Sequence, residues 1–447
     1  MPFRHFRYLI VLLLVLGCHP AALVNAQSSD APPTTPDTLL DGSTLNDIWL
    51  HINARDWEDL RATYREGTYY PVDFEWAGLR ARNAGIRVRG NSTRNNHKPS
   101  LRIDFNRYVT DQEFVGLNAL VLNSSWHDPS MLHDRLSMLL FRRMGIPAPR
   151  QAHVRLFVGP QREFAGVYAV SEEVSKTFLD ANFREHDGHL YEYHRQDGDN
   201  YGFSDPGPEL GWYIPRFGPK THENESVASL YMPIRDLVQA VNDAPQSNLE
   251  DKLGDYFDVN TYITEIAVQN FMAQSDGLLG DVGMNNFFLY RFAGKRMSVL
   301  IPWDQDNAFN ALDQTPWQNM STNVLAAKIW DEPKYRSAYL KRLLEVADAT
   351  GPPSGAPGVD GWLRQEASRE YEQIRDAVSV DPLTPYSTED FEQSVAIIDQ
   401  FARGRADIVR QYVARVAPEL LTAERLPSVQ RLPVGVSKPA LRPTAAR

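Results

Sequence analysis

The stretch IPWDQDNAF, residues 301–309, is the most informative part of this chain. An apolar run leads into Ile301 and indicates a buried strand, which ends in two carboxylates one residue apart, Asp304 and Asp306. Burying a carboxylate beside Trp303 is costly unless a cation or hydrogen bonds replace the lost water. Carboxylates at the end of a rigid strand suit Mg²⁺ or Mn²⁺ held together with phosphates. The alternative is a turn in which both acids cap backbone groups.

A second predicted strand, residues 286–290, lies just upstream and follows a polar loop that carries Asp276, Asp281 and Asn286. An EF-hand does not fit, because Ala308 would be the fifth residue of its loop and no glycine follows. An acid and an amide on one loop, then a strand, then an acid is the order of the catalytic acid and two metal ligands in kinase-like phosphotransferases.

Length and composition limit the number of domains and the classes of function that the chain can have. The 447 residues suffice for two or three domains of about 150 residues, or for one large two-lobed domain. The net charge of -11 argues against a nucleic-acid-binding protein, which would present a basic face, but it does not exclude a nucleotide. No Walker A sequence or Gly-x-Ser-x-Gly motif occurs. The histidines show no tight ligand spacing on one element, as judged from His127, His133, His186 and His189.

The first residues predict export. Basic residues flank an apolar run that is too short for a membrane-spanning helix, which is typical of a signal peptide, here residues 1–26. The alternative is an imperfect lipobox that would leave a lipidated Cys18 and attach the chain to a membrane. Because Cys18 is the only cysteine, a disulfide framework is excluded. Residues 27–44 are predicted to be a linker and residues 421–447 a disordered basic tail.

Hydrophobic periodicity predicts strands first and helices later, an α+β pattern with a β-rich N-terminal lobe at about 45–175 and a helix-rich C-terminal lobe at about 176–420. A helix is expected over 128–144 with Pro129 in its first turn, and another begins at Pro233. Residues 197–226 are interpreted as a solvent-exposed insertion or as a lid over the substrate. Further helices are expected at 57–64, 259–274, 337–348, 361–377 and 388–416.

The predicted first lobe carries charges that suit an anion. Arg89 precedes a turn with a glycine, where backbone N–H groups can surround a phosphate, and Lys98 leads into a strand and offers a point charge. A solvated hairpin is the alternative. Glu172 ends another strand, where it could accept hydrogen bonds from a ligand or cap the next helix. Asp134 is expected to pair with Lys98 and orient it, unless it is an ordinary exposed residue.

These motifs together resemble the spore-coat protein H (CotH) kinase family. The resemblance spans about residues 45–417, and it is carried by the order and spacing of the motifs: RGNST at 89–93 with Lys98, GVY at 166–168 with Glu172, Asp276, Asn286 before FFLY, and PWD at 302–304.

The resemblance implies a two-lobed, atypical, secreted protein-kinase-like fold. Such a protein would use ATP and Mg²⁺ or Mn²⁺ to phosphorylate Ser or Thr of secreted or surface proteins. The resemblance implies Asp276 as the catalytic acid, Lys98 as a phosphate contact, Asp304 as a metal ligand and Asn286 as a second one. Arg89 and Glu172 are further predicted nucleotide-binding residues, and Asp306, at a position that varies in the family, is a further predicted metal ligand.

Two questions stay open at this point. Asp281 lies five residues before Asn286, which is the spacing of the kinase catalytic loop, so Asp276 and Asp281 are both candidate acids. The alternatives to a kinase are a kinase-like binding protein without turnover and an enzyme that transfers a nucleotidyl group to protein. Several unpaired acids in one cleft favour an enzyme over a scaffold.

Overall fold

Seven strands near the start of the chain close into a barrel. The computed structural model describes residues 35–90, 93–352 and 358–422. The strand order around the barrel is β1-β2-β3-β4-β5-β7-β6, and β1 closes it by pairing in parallel with β6. The bounds are β1 Asn46–His51, β2 Tyr70–Trp76, β3 Leu79–Val88, β4 Leu101–Asp104, β5 Ala119–Asn123, β6 Gln151–Val158 and β7 Glu163–Glu172.

Alternation of apolar and polar residues explains the barrel core. In β2 the buried residues are Val72, Phe74 and Trp76, and the residues between them are partly exposed. Phe74 packs edge-on against Phe105 and Phe114, with ring centroids 5.3 and 4.9 Å apart. Side chains of successive strand residues point to opposite faces, so one face of each strand fills the barrel.

A second sheet of four antiparallel strands has the order β11-β10-β8-β9. It combines β8 His189–Tyr193, β9 Phe217–Pro219, β10 Phe287–Arg291 and β11 Ser298–Pro302. β10 and β11 are the two strands predicted around the acidic motifs. β10 is nearly all apolar and buried because both of its faces are covered: Phe287 and Leu289 pack in the large core, and Phe288 and Tyr290 pack in a smaller cluster.

Helices dominate the rest of the chain, and most of them pack into one large hydrophobic core that is separate from the barrel core. Leu39, Leu40 and Leu60 of the first two helices belong instead to the barrel core, and Phe178 and Leu179 of the fourth belong to a smaller third cluster. The helix bounds are α1 Pro36–Leu40, α2 Ala54–Ala62, α3 His133–Arg143, α4 Lys176–Phe183, α5 Val227–Asp243, α6 Leu249–Leu253, α7 Val259–Phe271, α8 Val324–Asp331, α9 Pro333–Thr350, α10 Trp362–Val378, α11 Thr388–Val416 and α12 Glu419–Thr422. The fold is therefore mixed α+β, as predicted. Within the described ranges, no helix is both long and apolar enough to cross a bilayer.

Two helix starts that were predicted from proline positions are wrong. Pro129 is not in α3, which begins at His133, because Asp128 accepts hydrogen bonds from Ser130 N–H at 2.9 Å and from His133 N–H at 3.0 Å and makes a separate turn. Pro233 lies inside α5 rather than at its start. The start at Val227 is set by Ser226, whose side chain accepts a hydrogen bond from Ser229 N–H.

Two predicted surface segments are partly buried. The predicted linker contains α1, whose Leu39 and Leu40 belong to the barrel core. The 197–226 segment is not simply a solvent-exposed insertion, because it contains β9 and places Tyr213 and Phe217 in the large core. The predicted signal peptide, Cys18 and residues 423–447 of the predicted tail lie outside the described residues.

Candidate functional site

The β10–β11 hairpin places Asn286 beside Trp303 and Asp304. Phe287 pairs with Pro302, so the residue before one strand meets the residues after the other. Trp303 N–H donates to the Asn286 carbonyl at 3.1 Å. Asn286 and Asp304 have φ values of +56° and +52°, in the left-handed region that Asn and Asp tolerate better than most residues. The backbone is therefore locally strained at two of the predicted metal ligands.

Asp276 joins this hairpin end through two amides. Asn286 Nδ2 donates to the Asp276 carboxylate at 3.1 Å and to its carbonyl at 2.9 Å. Asn285 Nδ2 donates to both carboxylate oxygens of Asp276, at 3.1 and 3.2 Å. Asp281 is exposed and accepts from Asn319 Nδ2 at 2.8 Å. Of the two candidate acids, Asp276 is the one hydrogen-bonded to a predicted metal ligand.

Gln305, which the sequence reasoning missed, links the loops around these residues. Its Nε2 donates to the carbonyls of Asn286 at 3.1 Å and Trp303 at 2.9 Å. Its Oε1 accepts from Gln274 Nε2 at 3.2 Å, and its backbone N–H donates to Asp134 Oδ1 at 2.8 Å. No local pattern marks this residue, because Asp134 lies 171 positions away in the sequence.

Asp134 belongs to the same site, and its predicted pairing with Lys98 is wrong. It lies in the first turn of α3, where one carboxylate oxygen accepts from Gln305 N–H and the other from Gln151 Nε2 at 2.7 Å. Both partners are neutral hydrogen-bond donors, so the negative charge of Asp134 is not neutralised by them. The Asp134 charge adds to the negative charges of Asp304 and Asp306, which follow β11.

The acidic cluster, defined as Asp134, Asp276, Asp304 and Asp306, shares one electrostatic property. Each carboxyl group has a raised pKa, mainly because of burial and further because of neighbouring carboxylates. Burial, followed by repulsion from Asp134, raises the pKa of Asp304 to about 6. Crowded acids with raised pKa values are typical of functional sites, and bound cations would relieve their repulsion.

Arg89, immediately after β3, is a cation that opposes this repulsion. Its charge lowers the pKa of Asp304 and so offsets part of the effect of burial. Its guanidinium carbon lies 4.9 Å from the centroid of the Trp303 ring, and its Nη2 lies 3.9 Å from Glu192 Oε1. The barrel therefore contributes a positive group beside the second sheet, and the role of Arg89 toward phosphates stays a prediction.

The chemistry of the acidic cluster fits a hard divalent cation, since all its ligand atoms are oxygens. Across the described ranges, no three acidic groups of the cluster have ligand atoms within 4.8 Å of one another, so a preformed cage of three carboxylates is absent there. Mg²⁺ usually takes one or two carboxylates and completes its shell with phosphates and waters. The arrangement suits a metal that binds together with a nucleotide.

Two predicted nucleotide-binding residues have charged partners elsewhere. Lys98 is 1 % exposed, and its Nζ donates to Asp381 Oδ2 at 2.8 Å. Glu172 accepts from Arg150 Nε at 2.9 Å. Neither residue has a hydrogen bond or ion pair to the acidic cluster in the described part of the chain. Their roles toward a nucleotide stay predictions.

Comparison with known proteins agrees with the resemblance. The family model described as CotH kinase protein matches residues 86–409. The inner spore coat protein H of Bacillus subtilis is 26% identical over 380 residues, which are 82% of this chain and 96% of that protein.

Among solved structures, a chain of the Shewanella oneidensis MR-1 HipA, HipB and operator DNA complex has a TM-score of 0.32 at 10% identity, covering 67% of this chain and 60% of that one. The Helicobacter pylori proinflammatory kinase CtkA has a TM-score of 0.28 at 9% identity, covering 71% and 95%. On the family match, the chain belongs to the CotH kinase protein family.

Proposed function

We propose that this protein is a protein kinase that transfers the γ-phosphate of ATP, with Mg²⁺ or Mn²⁺, to Ser or Thr of secreted or surface proteins. The observation that carries the proposal is the acidic cluster, whose four carboxyl groups all have raised pKa values and in which Asp134 and Asp276 repel both Asp304 and Asp306. Membership in a kinase family supports the same chemistry. Export rests on the sequence of residues 1–26 alone.

Each residue of the site has a proposed role. Asp304 and Asn286, with Asp306 beside them, hold the metal, which when bound neutralises charge on the phosphates. Arg89 contacts the phosphates. Asp276 orients the acceptor hydroxyl and takes its proton while the oxygen bonds to the γ-phosphorus and ADP leaves. The raised pKa of Asp276 improves it as a proton acceptor, because its basicity moves closer to neutral pH.

We also propose that the barrel and the helix-rich part act as two lobes around this site. Each has its own hydrophobic core. Arg89 follows a barrel strand and lies over Trp303, which follows the last strand of the second sheet. A cleft between lobes is a common place for a ligand, and two separate cores permit the small movements that admit a nucleotide.

The test uses ATP labelled separately at the γ- and α-phosphates, with Mg²⁺ or Mn²⁺ and a Ser-rich acceptor. Wild type is compared with Asp304→Asn and Asp276→Asn, which remove charge at nearly constant shape. Asp255→Asn is the matched control, because Asp255 is exposed and outside the site. Asp281→Asn decides between the two candidate acids.

The proposal expects metal-dependent γ-label that falls at least about 100-fold in both site variants, the usual scale for a group that acts on the reacting atoms. Transfer of α-label would replace the kinase by a nucleotidyl transferase. No label, together with no thermal shift on adding nucleotide and metal, would leave a kinase-like binding protein. Loss of activity in Asp281→Asn but not in Asp276→Asn would move the acid to Asp281.

A further inference from the structure

We propose that His189, His222 and Glu225 form a surface site for a transition metal ion of the zinc class. Each of the three side chains offers one ligand atom, and these atoms all lie within 4.8 Å of one another. His189 begins β8, whereas His222 and Glu225 lie in the turn between β9 and α5. This site is separate from the acidic cluster and independent of the proposed kinase chemistry.

The distances match the needs of a metal ion. His189 Nε2 lies 3.1 Å from Glu225 Oε2, and His222 Nδ1 lies 3.2 Å from Glu225 Oε1. Around a tetrahedral Zn²⁺ with bonds near 2.0–2.1 Å, ligand atoms are about 3.3 Å apart. The two imidazole rings lie nearly parallel, with centroids 4.4 Å apart and planes at 22°. One ion near the carboxylate would therefore reach both rings after a small adjustment.

Neighbouring hydrogen bonds orient one of the rings. His222 Nε2 lies 2.9 Å from the Asp187 carbonyl, an acceptor that requires the proton to be on Nε2. The Nδ1 lone pair of neutral His222 then faces the Glu225 carboxylate, where two acceptors repel each other unless a proton or a metal ion lies between them. Zinc-binding histidines commonly have their second nitrogen on a carbonyl in this way.

The turn that carries two of the ligands is tied to β8. Lys220 N–H donates to the Leu190 carbonyl at 2.8 Å, and Thr221 Oγ1 donates to the Gly188 carbonyl at 2.8 Å. Leu190 N–H in turn donates to Thr221 Oγ1 at 2.9 Å. Because these bonds hold the turn against the strand, little conformational entropy is lost when a metal binds.

The site is open on one side. His222 and Glu225 are exposed and His189 is partly buried, and a surface depression of about 450 Å³ is lined by residues 220–225. Two imidazoles and one carboxylate leave a fourth position for water or for a ligand from another molecule. Imidazole favours Zn²⁺, Cu²⁺ or Ni²⁺ over Mg²⁺, so the chemistry differs from that of the acidic cluster.

Arg291 competes with the metal. Its guanidinium donates to His189 Nδ1 at 2.9 Å, which places the proton of neutral His189 on Nε2, the nitrogen that would bind the ion. Metal binding must therefore displace Arg291. Replacing it by glutamine, whose carbonyl accepts from an Nδ1–H group, should favour the metal-binding tautomer.

The experiment measures Zn²⁺ binding to the chelator-treated full chain, by competition with a coloured zinc indicator, with Co²⁺ absorption as a second readout. We expect one specific equivalent that is weakened at least about tenfold in His222→Ala and in Glu225→Gln, and strengthened in Arg291→Gln. His186→Ala is the matched control, because His186 is also exposed and near β8 but is not among the three ligands.

Circular dichroism and melting temperature recorded without metal separate a misfolded variant from one that has only lost a ligand. His222 and Glu225 are exposed and Arg291 is partly buried, so we expect the variants to stay folded. Undiminished Zn²⁺ binding in His222→Ala and Glu225→Gln would overturn the proposal, as would the absence of a specific equivalent in wild type. In either case His189, His222 and Glu225 would form only a surface network of hydrogen bonds and charges.

Discussion

Lys98 and Asp381 lie 283 residues apart in the sequence and form a buried ion pair, with Nζ 2.8 Å from Oδ2. The lysine precedes barrel strand β4, and the aspartate lies between α10 and α11. Asp381 also accepts hydrogen bonds from the N–H groups of Val167 at 2.9 Å and Leu383 at 2.9 Å. This pair therefore ties the barrel to a late segment of the chain.

Removing one partner of this pair should destabilise the protein strongly. Asp381→Ala leaves the Lys98 ammonium buried without a counter-charge, which typically costs about 3–5 kcal/mol of unfolding free energy. Urea denaturation followed by circular dichroism measures the loss. Asp348→Ala is the matched control, because Asp348 pairs with Arg410 at the surface and should cost less than about 1 kcal/mol.

A second variant separates structure from catalysis. Lys98→Met combined with Asp381→Leu replaces the pair by apolar groups and should recover part of the stability lost in Asp381→Ala, because no charge is left buried. The Val167 and Leu383 N–H groups lack their acceptor in both variants, so that part of the loss remains. If this double variant folds but transfers no phosphate, Lys98 also acts on the nucleotide. An Asp381→Ala protein as stable as wild type would show that the ion pair does not hold the barrel to the late segment.

Asp304→Asn should stabilise the metal-free protein. Burial, followed by repulsion from Asp134, raises the pKa of Asp304 to about 6 from 3.8, so its contribution to stability is present at acidic pH and is lost as the pH rises through about 6. With two pKa units at about 1.4 kcal/mol each, the variant should gain roughly 2–3 kcal/mol near neutral pH. Thermal unfolding in EDTA measures this gain.

The same variant should lose the rise in melting temperature that Mg²⁺ and nucleotide produce in wild type, because a metal ligand is gone. Asp255→Asn, at an exposed position, should keep it. A stabilised Asp304→Asn protein that still responds fully to Mg²⁺ and nucleotide would place the metal elsewhere in the acidic cluster.

Arg89→Met should move metal binding to higher pH. The Arg89 charge lowers the pKa of Asp304 against the larger effect of burial, so its removal should raise that pKa further. Metal binding needs the ionised carboxylate, so the acidic limb of Mn²⁺ affinity against pH should shift to higher pH. Arg87→Met, within strand β3 and two residues before Arg89, is the control, and an equal shift in both variants would contradict the role given to Arg89.

Glu265 should make stability fall as pH rises. This α7 residue is buried, and its Oε1 has no hydrogen-bond partner in the described structure. Burial raises its pKa from 4.5 to about 8, so the folded protein keeps a proton that the unfolded chain releases. Its contribution to stability is full below pH 4.5 and declines by about 1.4 kcal/mol per unit until about pH 8.

Glu265→Gln should remove this slope, whereas Glu58→Gln at an exposed position should leave it unchanged. Denaturation midpoints measured across the pH range from 5 to 8, in steps of about one unit, give the comparison. A wild-type protein and a Glu265→Gln protein with parallel pH profiles would show that Glu265 is ionised in the fold.

Much of the candidate site could be predicted from local patterns. The apolar run that leads to Asp304 predicted a buried strand, and β11 is that strand. It also predicted that ionising the Asp304 carboxyl group costs free energy, and the raised pKa of Asp304 agrees with this. The long helix over 388–416 followed from its periodicity and has those bounds as α11. Asp276 and Asn286 were predicted to belong to the site because they lie on one loop. A short loop keeps its residues close in space, and the two side chains are hydrogen-bonded to each other.

Other parts depended on partners far away in the chain. Asp134 was expected to pair with Lys98, but Gln305 and Gln151 bind it instead. Tertiary packing also kept Pro233 inside α5, where local propensity would start a helix.

The sequence by itself determined many of the strands and helices, among them β10, β11 and α11, and the acids that stand at strand ends, because these depend on neighbours within a few residues. Only the tertiary structure decided which charges meet. It paired Lys98 with Asp381 and brought His189 beside His222, 33 positions later in the chain. Electrostatic and hydrogen-bond partners depend on distance in space, and barrel closure and sheet pairing set that distance.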